Sequence, residues 1–208
     1  MKKLKLRKYV MPSVVIAISC VSVLAAALLI PTSENVLSKL NYVSNTIISQ
    51  EKAVINTTQK VIYPYTDQSV QVGKSYYDYK STAEEQENSL HYYENTYIQN
   101  SGIDFVYEEK FNVVSILEGT VTNVKEDSVL GNIVEVTHSN DYISVYQSLS
   151  EIKVSKGDVI SQGQVIGVSG TNEIDKDLGN HLHFEMYIGG YNVNPTNYLD
   201  KEINKKNN

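Results

Sequence analysis

From residue 112 onward, the chain alternates hydrophobic and polar residues, or runs apolar for five to eight positions, between short stretches of Gly, Asn, Asp and Ser. A period of two is typical of β-strands with one buried face, and no helix of ten or more residues fits the pattern. The sequence therefore predicts an all-β domain, either a sandwich or a partly open barrel. Its segments are VVSILEGTVTNVKED, NIVEVTHSNDYISVYQSL, KVSKGDVISQGQVIGVSG and HLHFEMYIGGYNVN.

A tyrosine-rich stretch, SYYDYKSTAEEQENSLHYYENTYIQN, precedes this domain. Thr82 and Glu85 have the spacing of a capping box, which predicts a helical turn that ends near Leu90. Residues 92–98 then have the pattern of a strand. The tyrosines are compatible with a stacking platform for a carbohydrate or a nucleic acid, but tyrosine on a half-buried sheet is the commoner case.

The first thirty residues have the pattern of a membrane anchor. Five basic residues precede an uncharged apolar run from Val10 to Ile30. A run of that length spans a hydrocarbon core of about 30 Å, and the flanking charges predict a cytoplasmic N-terminus. A cleaved signal peptide would be shorter and would end in small residues. A lipoprotein signal would be cut before Cys20, yet ten more apolar residues follow it. An uncleaved anchor is the favoured interpretation.

Beyond the anchor, a stripe of apolar residues with spacings of four, three and four predicts a short helix that starts after Pro31. That helix is either a stalk or a self-association element. Residues 50–75 are polar and mixed, and they have the composition of a linker. The stripe consists of Val36, Leu40, Val43 and Ile47.

The charge of the chain argues against nucleic-acid binding, and its cysteine content excludes an internal disulfide. Residues 31–208 carry 13 basic and 24 acidic residues, a formal charge of −11. Such a domain is poorly suited to binding nucleic acid. Cys20 is the only cysteine, so no disulfide can form within the chain and the domain must be stabilised by its own core.

The stretch GNHLHFEM raises the question of a metal site. On a strand, His181 and His183 share one face, roughly 7 Å apart, while Leu182 and Phe184 point into a core. A catalytic zinc ion needs three protein ligands and an open position for water.

Five separated blocks between residues 97 and 199 resemble, in order and spacing, the LytM or lysostaphin family of zinc endopeptidases. That family cuts the peptide crosslinks of bacterial cell walls, and the resemblance implies a LytM-type β-fold. The blocks are NSGIDF, GTVTNV, GNIVEVTHSNDYISVYQSLS, VSKGDVISQGQVIGVSGT and GNHLHFEMYIGGYNVNPTNYL.

The resemblance implies three zinc-ligand positions, which are occupied here by Asn100, Asp104 and His183. Asparagine replaces the family's first histidine ligand, and an amide oxygen is a far weaker ligand for zinc than imidazole.

It also implies two catalytic histidine positions, occupied here by His181 and Ser148. A serine hydroxyl cannot act as a general base near neutral pH. We therefore expect no enzyme activity and no cofactor, and we interpret all five residues as vestigial. His138 is expected to be structural or exposed, and His91 falls outside the matched blocks.

A closer resemblance, from residue 75 to 199, is to a sporulation branch of this family in endospore-forming Firmicutes. It implies a forespore-membrane protein that faces the intermembrane space and binds stage III sporulation protein AH from the opposite membrane, within a channel complex needed for engulfment. An activator of a separate wall hydrolase is the alternative from a different class, and an active zinc endopeptidase is a weaker one.

The predicted organisation is a cytoplasmic tip at residues 1–8, an anchor at 9–30, a stalk and linker at 31–74, a LytM-like β-domain at 75–199 and a disordered tail at 200–208.

Overall fold

The computed structural model describes residues 57–205, which form one compact β-rich unit. The predicted tip and anchor, and most of the predicted stalk, lie outside these residues. No helix among the described residues is long and apolar enough to cross a membrane. The strands are β1 (Thr57–Lys60), β2 (Gln71–Lys74), β3 (Leu90–Tyr93), β4 (Thr96–Gln99), β5 (Ile103–Val106), β6 (Asn112–Val114), β7 (Gly119–Asp127), β8 (Gly131–His138), β9 (Tyr142–Ile152), β10 (Val159–Ile160), β11 (Val165–Ser169), β12 (His181–Ile188), β13 (Tyr191–Val193) and β14 (Glu202–Lys205), and the helix is α1 (Ala83–Asn88).

The main sheet is open. Seven of its strands follow the antiparallel order β10-β7-β8-β9-β12-β5-β2, with β11 pairing β6 and β9 and with β13 pairing β12. Two smaller sheets pair β1 with β14 and β3 with β4. The prediction of an all-β domain is confirmed as a mostly β fold that also contains a six-residue helix. The sheet does not close into a barrel, since β10 and β2 end the order as edge strands.

Strand β12 is buried on both faces. Leu182, Phe184 and Met186 are inaccessible to solvent and belong to the hydrophobic core, as the alternation predicts. His181, His183 and Glu185 are also buried, on the opposite face of the strand. The central position of β12, between β9 and β5, therefore places a row of polar groups inside the protein.

Helix α1 begins at the predicted capping box. The Thr82 side chain accepts from the Glu85 backbone N–H, and the Glu85 carboxylate accepts from the Thr82 N–H at 3.0 Å. These reciprocal bonds satisfy two donors that a helix start otherwise leaves unpaired. Asn88 is the last residue of the helix, two residues before the predicted end.

Residues 92–98 form a hairpin rather than the single strand predicted from the pattern. Tyr93 ends β3 and Thr96 starts β4. Glu94 and Asn95 between them have φ values of 47° and 63°, as in a tight two-residue hairpin turn. The alternation continued across the turn, so the pattern alone did not reveal it.

The folded unit extends beyond the predicted boundaries of the β-domain. Residues 57–74, placed in the stalk and linker from sequence, contribute β1 and β2, and Val61 and Val70 are buried in the core. Strand β14 lies in the stretch predicted as a tail. These segments are short and mostly polar, so isolated buried residues gave no period to detect.

Candidate metal centre and the groups around it

Asp104 lies at the centre of a buried polar cluster because of its strand position. Strand β5 runs between β12 and β2, and Asp104 is directly opposite His183 on one side and Lys74 on the other. Asp104 is inaccessible to solvent and His183 is 8% exposed. Six side chains form this Asp104 cluster: Lys74, His91, Asp104, Asp175, His183 and Glu185.

His183 is held between two carboxylates. Its Nδ1 lies 2.8 Å from Asp104 Oδ1, and its Nε2 lies 3.2 Å from Glu185 Oε1. Burial alone would lower the pKa of His183, but the hydrogen bonds and charges of these two acids outweigh burial and raise the pKa to about 10. In the described structure His183 is therefore a charged imidazolium that neutralises buried acid groups.

Further hydrogen bonds hold Glu185 in place. The Ser101 hydroxyl donates to Oε1, and the Tyr187 hydroxyl donates to Oε2 at 2.8 Å. Burial would raise the pKa of Glu185, but its contact with His183 and these hydroxyl donors lower it. The carboxylate is thus kept ionised beside His183.

Asn100 positions Asp104 and does not present a metal-binding atom to it. Its Nδ2 donates to Asp104 Oδ2 at 2.8 Å, and its Oδ1 accepts from the Gly102 backbone N–H at 2.9 Å. The amide nitrogen that faces Asp104 has no lone pair to offer a cation. Gly102 permits this tight loop, since a Cβ there would lie 2.2 Å from the Phe184 carbonyl oxygen.

His91, to which the sequence analysis assigned no role, reaches the cluster from the β3–β4 hairpin. Its Nδ1 lies 2.9 Å from Asp175 Oδ2, and its Nε2 lies 3.8 Å from Asp104 Oδ2. Lys74 forms an ion pair with the same oxygen of Asp175 at 2.7 Å. No motif marked Asp175 or Lys74 in the sequence, because their partners lie 84 and about 100 positions away along the chain.

The two predicted catalytic positions also lie together, away from solvent. Ser148 and His181 are both 0% exposed, and Ser148 Oγ lies 3.0 Å from His181 Nε2. His181 Nδ1 donates to the Gly179 carbonyl at 2.9 Å, so its Nε2 accepts from the serine hydroxyl. Ser148 Oγ in turn accepts from Asn172 Nδ2 at 2.9 Å, and burial lowers the pKa of His181.

His138 lies apart from both groups and is buried, not exposed. Its Nδ1 is 2.8 Å from the Glu118 carbonyl oxygen and its Nε2 is 2.7 Å from Ser144 Oγ. Burial lowers the pKa of His138 to about 4, so the ring is neutral. His138 therefore has a structural role. The sequence had left two alternatives open for it, a structural or an exposed histidine.

Comparison with known proteins identifies the family. Residues 98–195 match the model of peptidase family M23. A chain in the solved structure of the SpoIIQ–SpoIIIAH pore-forming complex is 42% identical, with a TM-score of 0.69, and the match covers 71% of this chain and 95% of that one. The chain belongs to peptidase family M23.

Among family M23 relatives, stage II sporulation protein Q of Bacillus subtilis is 43% identical over 148 residues, 70% of this chain. This confirms the predicted resemblance to a sporulation branch of the family. The chain spans about half the length of that curated relative, at 52%. A zinc-containing peptidase from Vibrio cholerae shares the fold, with a TM-score of 0.53 and 22% identity over 66% of this chain.

The zinc site of family M23 provides a test of the residues present. The three positions that the family resemblance assigns do not fit zinc as a set, because Asn100 turns its nitrogen toward Asp104. Asp104 and His183 remain in register on neighbouring strands. His91 is the additional imidazole within reach, with His91, Asp104 and His183 each offering an atom within 4.8 Å of the others.

Proposed function

We propose that this chain is a non-catalytic, membrane-anchored binding protein of sporulation. Its β-domain engages stage III sporulation protein AH, or a close relative of it, from the opposing membrane. The observation that carries the proposal is the 42% identity, over 95% of the solved chain, to a component of the SpoIIQ–SpoIIIAH pore-forming complex. A second solved SpoIIIAH–SpoIIQ complex matches at 43% identity over the whole of its chain.

The absence of a general base supports a non-catalytic role. Ser148 stands at a position that the family resemblance assigns to a catalytic histidine, and its hydroxyl donates to His181. A serine hydroxyl does not accept a proton near neutral pH, so no group at this position can activate a water molecule. Both side chains are closed off from solvent, which also keeps them from a substrate.

The leader supports a membrane location for the binding domain. Residues 9–30 are the proposed anchor, and the basic residues before them predict a cytoplasmic tip at residues 1–8. The β-domain then lies outside the cytoplasm, in the space between the forespore and the mother cell. An acidic domain in that space offers a surface to a protein partner rather than to nucleic acid.

Strand β2 provides a surface suited to that partner. It ends the main sheet, and among the described residues no strand pairs with its outer edge. Val72 is 55% exposed on it. An unpaired edge of this kind accepts a partner's strand through main-chain hydrogen bonds, with side chains adding a few anchors. Sheet extension at β2 is therefore the proposed binding mode.

Two proline variants test this mode, because backbone N–H groups of adjacent residues point to opposite sides of a strand. One of Gln71→Pro and Val72→Pro removes a donor from the β2–β5 pairing, and the other removes a donor from the free edge. The free-edge variant should fold normally and weaken binding to the AH protein by on the order of 100-fold, equivalent to about 3 kcal/mol.

The control is alanine at each of the same two positions, which keeps both donors and should change affinity little. If both proline variants fold by circular dichroism and bind as tightly as the wild type, the partner does not extend the sheet at β2. If the chain instead raises the activity of a wall hydrolase without binding the AH protein, the alternative of a hydrolase activator replaces the proposal.

A further inference from the structure

His91 enters the Asp104 cluster from a part of the chain that precedes the residues matched to family M23. It lies on β3, and the family match begins at residue 98. The ring is 5% exposed, and its centroid is 6.0 Å from that of His183. The β3–β4 hairpin thus brings a second imidazole to the place where Asp104 and His183 meet.

The contacts of His91 leave one ring nitrogen available as a ligand. Nδ1 lies 2.9 Å from a carboxylate oxygen of Asp175 and 3.4 Å from Lys74 Nζ. Because the contact with the carboxylate is the closer one, we assign the proton to Nδ1, which donates it to Asp175. In the neutral ring Nε2 then carries the lone pair, and it faces Asp104 Oδ2 at 3.8 Å, beyond hydrogen-bond distance. A carboxylate that accepts a hydrogen bond from the other ring nitrogen commonly orients a metal-bound histidine, and Lys74 holds Asp175 in place here.

The three donors form a compact, mostly buried set. His91, Asp104 and His183 each offer one atom, and these atoms all lie within 4.8 Å of one another. Two imidazoles and one carboxylate are a donor set suited to zinc, with a fourth position left for water. A cavity of about 320 Å³, lined by His91, His183 and Glu185 among others, adjoins the set and gives that fourth position access.

We propose that His91, Asp104 and His183 bind one divalent transition-metal ion, zinc above all, and that this ion fastens the β3–β4 hairpin to the main sheet. His91 takes the place of the ligand that the family has at Asn100. The ion displaces the proton between His183 Nδ1 and Asp104 Oδ1, and that proton is released to solvent.

The metal is structural in this proposal, because Ser148 still occupies the position of the base. Zinc binding by the Asp104 cluster and partner binding at β2 are separate claims, so the failure of one leaves the other intact. The metal proposal replaces the expectation of a metal-free site, which was derived from Asn100 and Ser148.

The test is a zinc titration of the full chain in detergent, after the protein has been stripped with a chelator. Calorimetry and elemental analysis should give one zinc per chain. His91→Asn keeps an amide donor for Asp175 but removes the imidazole, and it should weaken zinc binding by more than about 100-fold. Asp175→Asn keeps all three ligands but removes the negative charge that faces His91 and Lys74, and it should weaken zinc binding roughly 10- to 100-fold.

Tyr92→Ser is the matched control, since it changes the next residue of β3, which is 58% exposed, and should leave zinc binding unchanged. The proposal is overturned if the wild type binds no zinc at tens of micromolar, or if folded His91→Asn binds as well as the wild type. The first result would mean that the cluster is an ion-pair network that binds no metal, and the second would mean that zinc binds without His91 as a ligand.

Cobalt(II) provides a measurement on the wild type that does not depend on the folding of a variant. The strong visible absorption of a four-coordinate cobalt ion, displaced by one equivalent of zinc, supports a site with three protein ligands and one water. A weak six-coordinate spectrum contradicts it. Amide hydrogen exchange in residues 90–99 should slow on zinc addition, since the ion joins the hairpin to β5 and β12.

Discussion

His183 Nδ1 lies 2.8 Å from Asp104 Oδ1, across two antiparallel strands that pair these residues directly. Both side chains are almost wholly buried. In this setting the carboxylate and the imidazolium neutralise each other, and each would be costly if left alone. The pair joins β5 to β12 at the point where the candidate metal site is built.

Removing one partner of this pair should destabilise the fold strongly. In metal-free buffer, Asp104→Asn should lower the free energy of unfolding by about 3 to 5 kcal/mol, since it leaves a buried charge without its main partner. Chemical denaturation monitored by circular dichroism measures the change. Lys60→Met, which breaks the exposed ion pair with Asp200, is the control and should cost less than about 1 kcal/mol. If the two substitutions lowered the free energy of unfolding equally, burial would not determine how much each ion pair contributes to stability.

The charge on His183 predicts a loss of stability at alkaline pH. Its pKa rises from 6.5 to about 10 on folding, so its contribution is complete below about pH 6.5 and is lost as the pH rises toward 10. The metal-free wild type should therefore lose more stability between pH 7 and 10 than Asp104→Asn does. Parallel pH profiles for the two proteins would argue against a charged His183.

His138 predicts the opposite behaviour on the acid side. Its pKa falls from 6.5 to about 4 on folding, so the unfolded chain takes up the proton first and stability falls between pH 6.5 and 4. The protonation of His138 should lower the free energy of unfolding by about 3 kcal/mol over this pH range. His138→Gln should be less stable at pH 7 but should lose less between pH 7 and 4. An unchanged acid slope in that variant would mean that other groups cause the acid sensitivity.

The chain should leave peptidoglycan uncut, with or without added zinc, because Ser148 cannot serve as the base. Release of soluble fragments from purified cell walls is the measurement, with an active family M23 endopeptidase as the positive control. Fragment release that requires zinc and disappears in Asp104→Asn would establish an active endopeptidase and refute the non-catalytic role.

The membrane orientation should be visible in forespore protoplasts. Protease added from outside should digest residues 31–208, because five basic residues before an apolar run predict a cytoplasmic N-terminus. A cytoplasmic protein of the same cells controls for leakage. Protection of the β-domain to the same degree as that control would contradict the proposed topology.

Alternation made the core of the fold predictable. The placement of Leu182 and Phe184 inside, and of His181 and His183 on the other face, follows from a period of two in a strand. The capping box of α1 was likewise readable, because both of its residues lie within one turn. The hairpin turn at Glu94 and Asn95 was not, since neither residue is glycine and the alternation ran through it.

The candidate site was predictable only where its residues belong to family motifs. Asp104 and His183 stood in such motifs, whereas His91 is joined to them by a hairpin that had to be folded first. Lys74 and Asp175 were invisible for the same reason, since a pairing over 100 positions leaves no local pattern. Sequence reasoning therefore singled out Asn100 at a family ligand position, but not the imidazole of His91 that faces Asp104.

The central claim is that the β-domain carries specific binding to the AH protein, and calorimetry on a soluble fragment tests it most directly. Residues 57–205 contain every strand of the described fold, including β1, β2 and β14, so they are the fragment to use. This fragment should bind the extracellular domain of stage III sporulation protein AH with about the affinity of residues 31–208. A fragment that folds by circular dichroism yet shows no heat of binding, while residues 31–208 do bind, would assign the interface to the stalk and contradict the account.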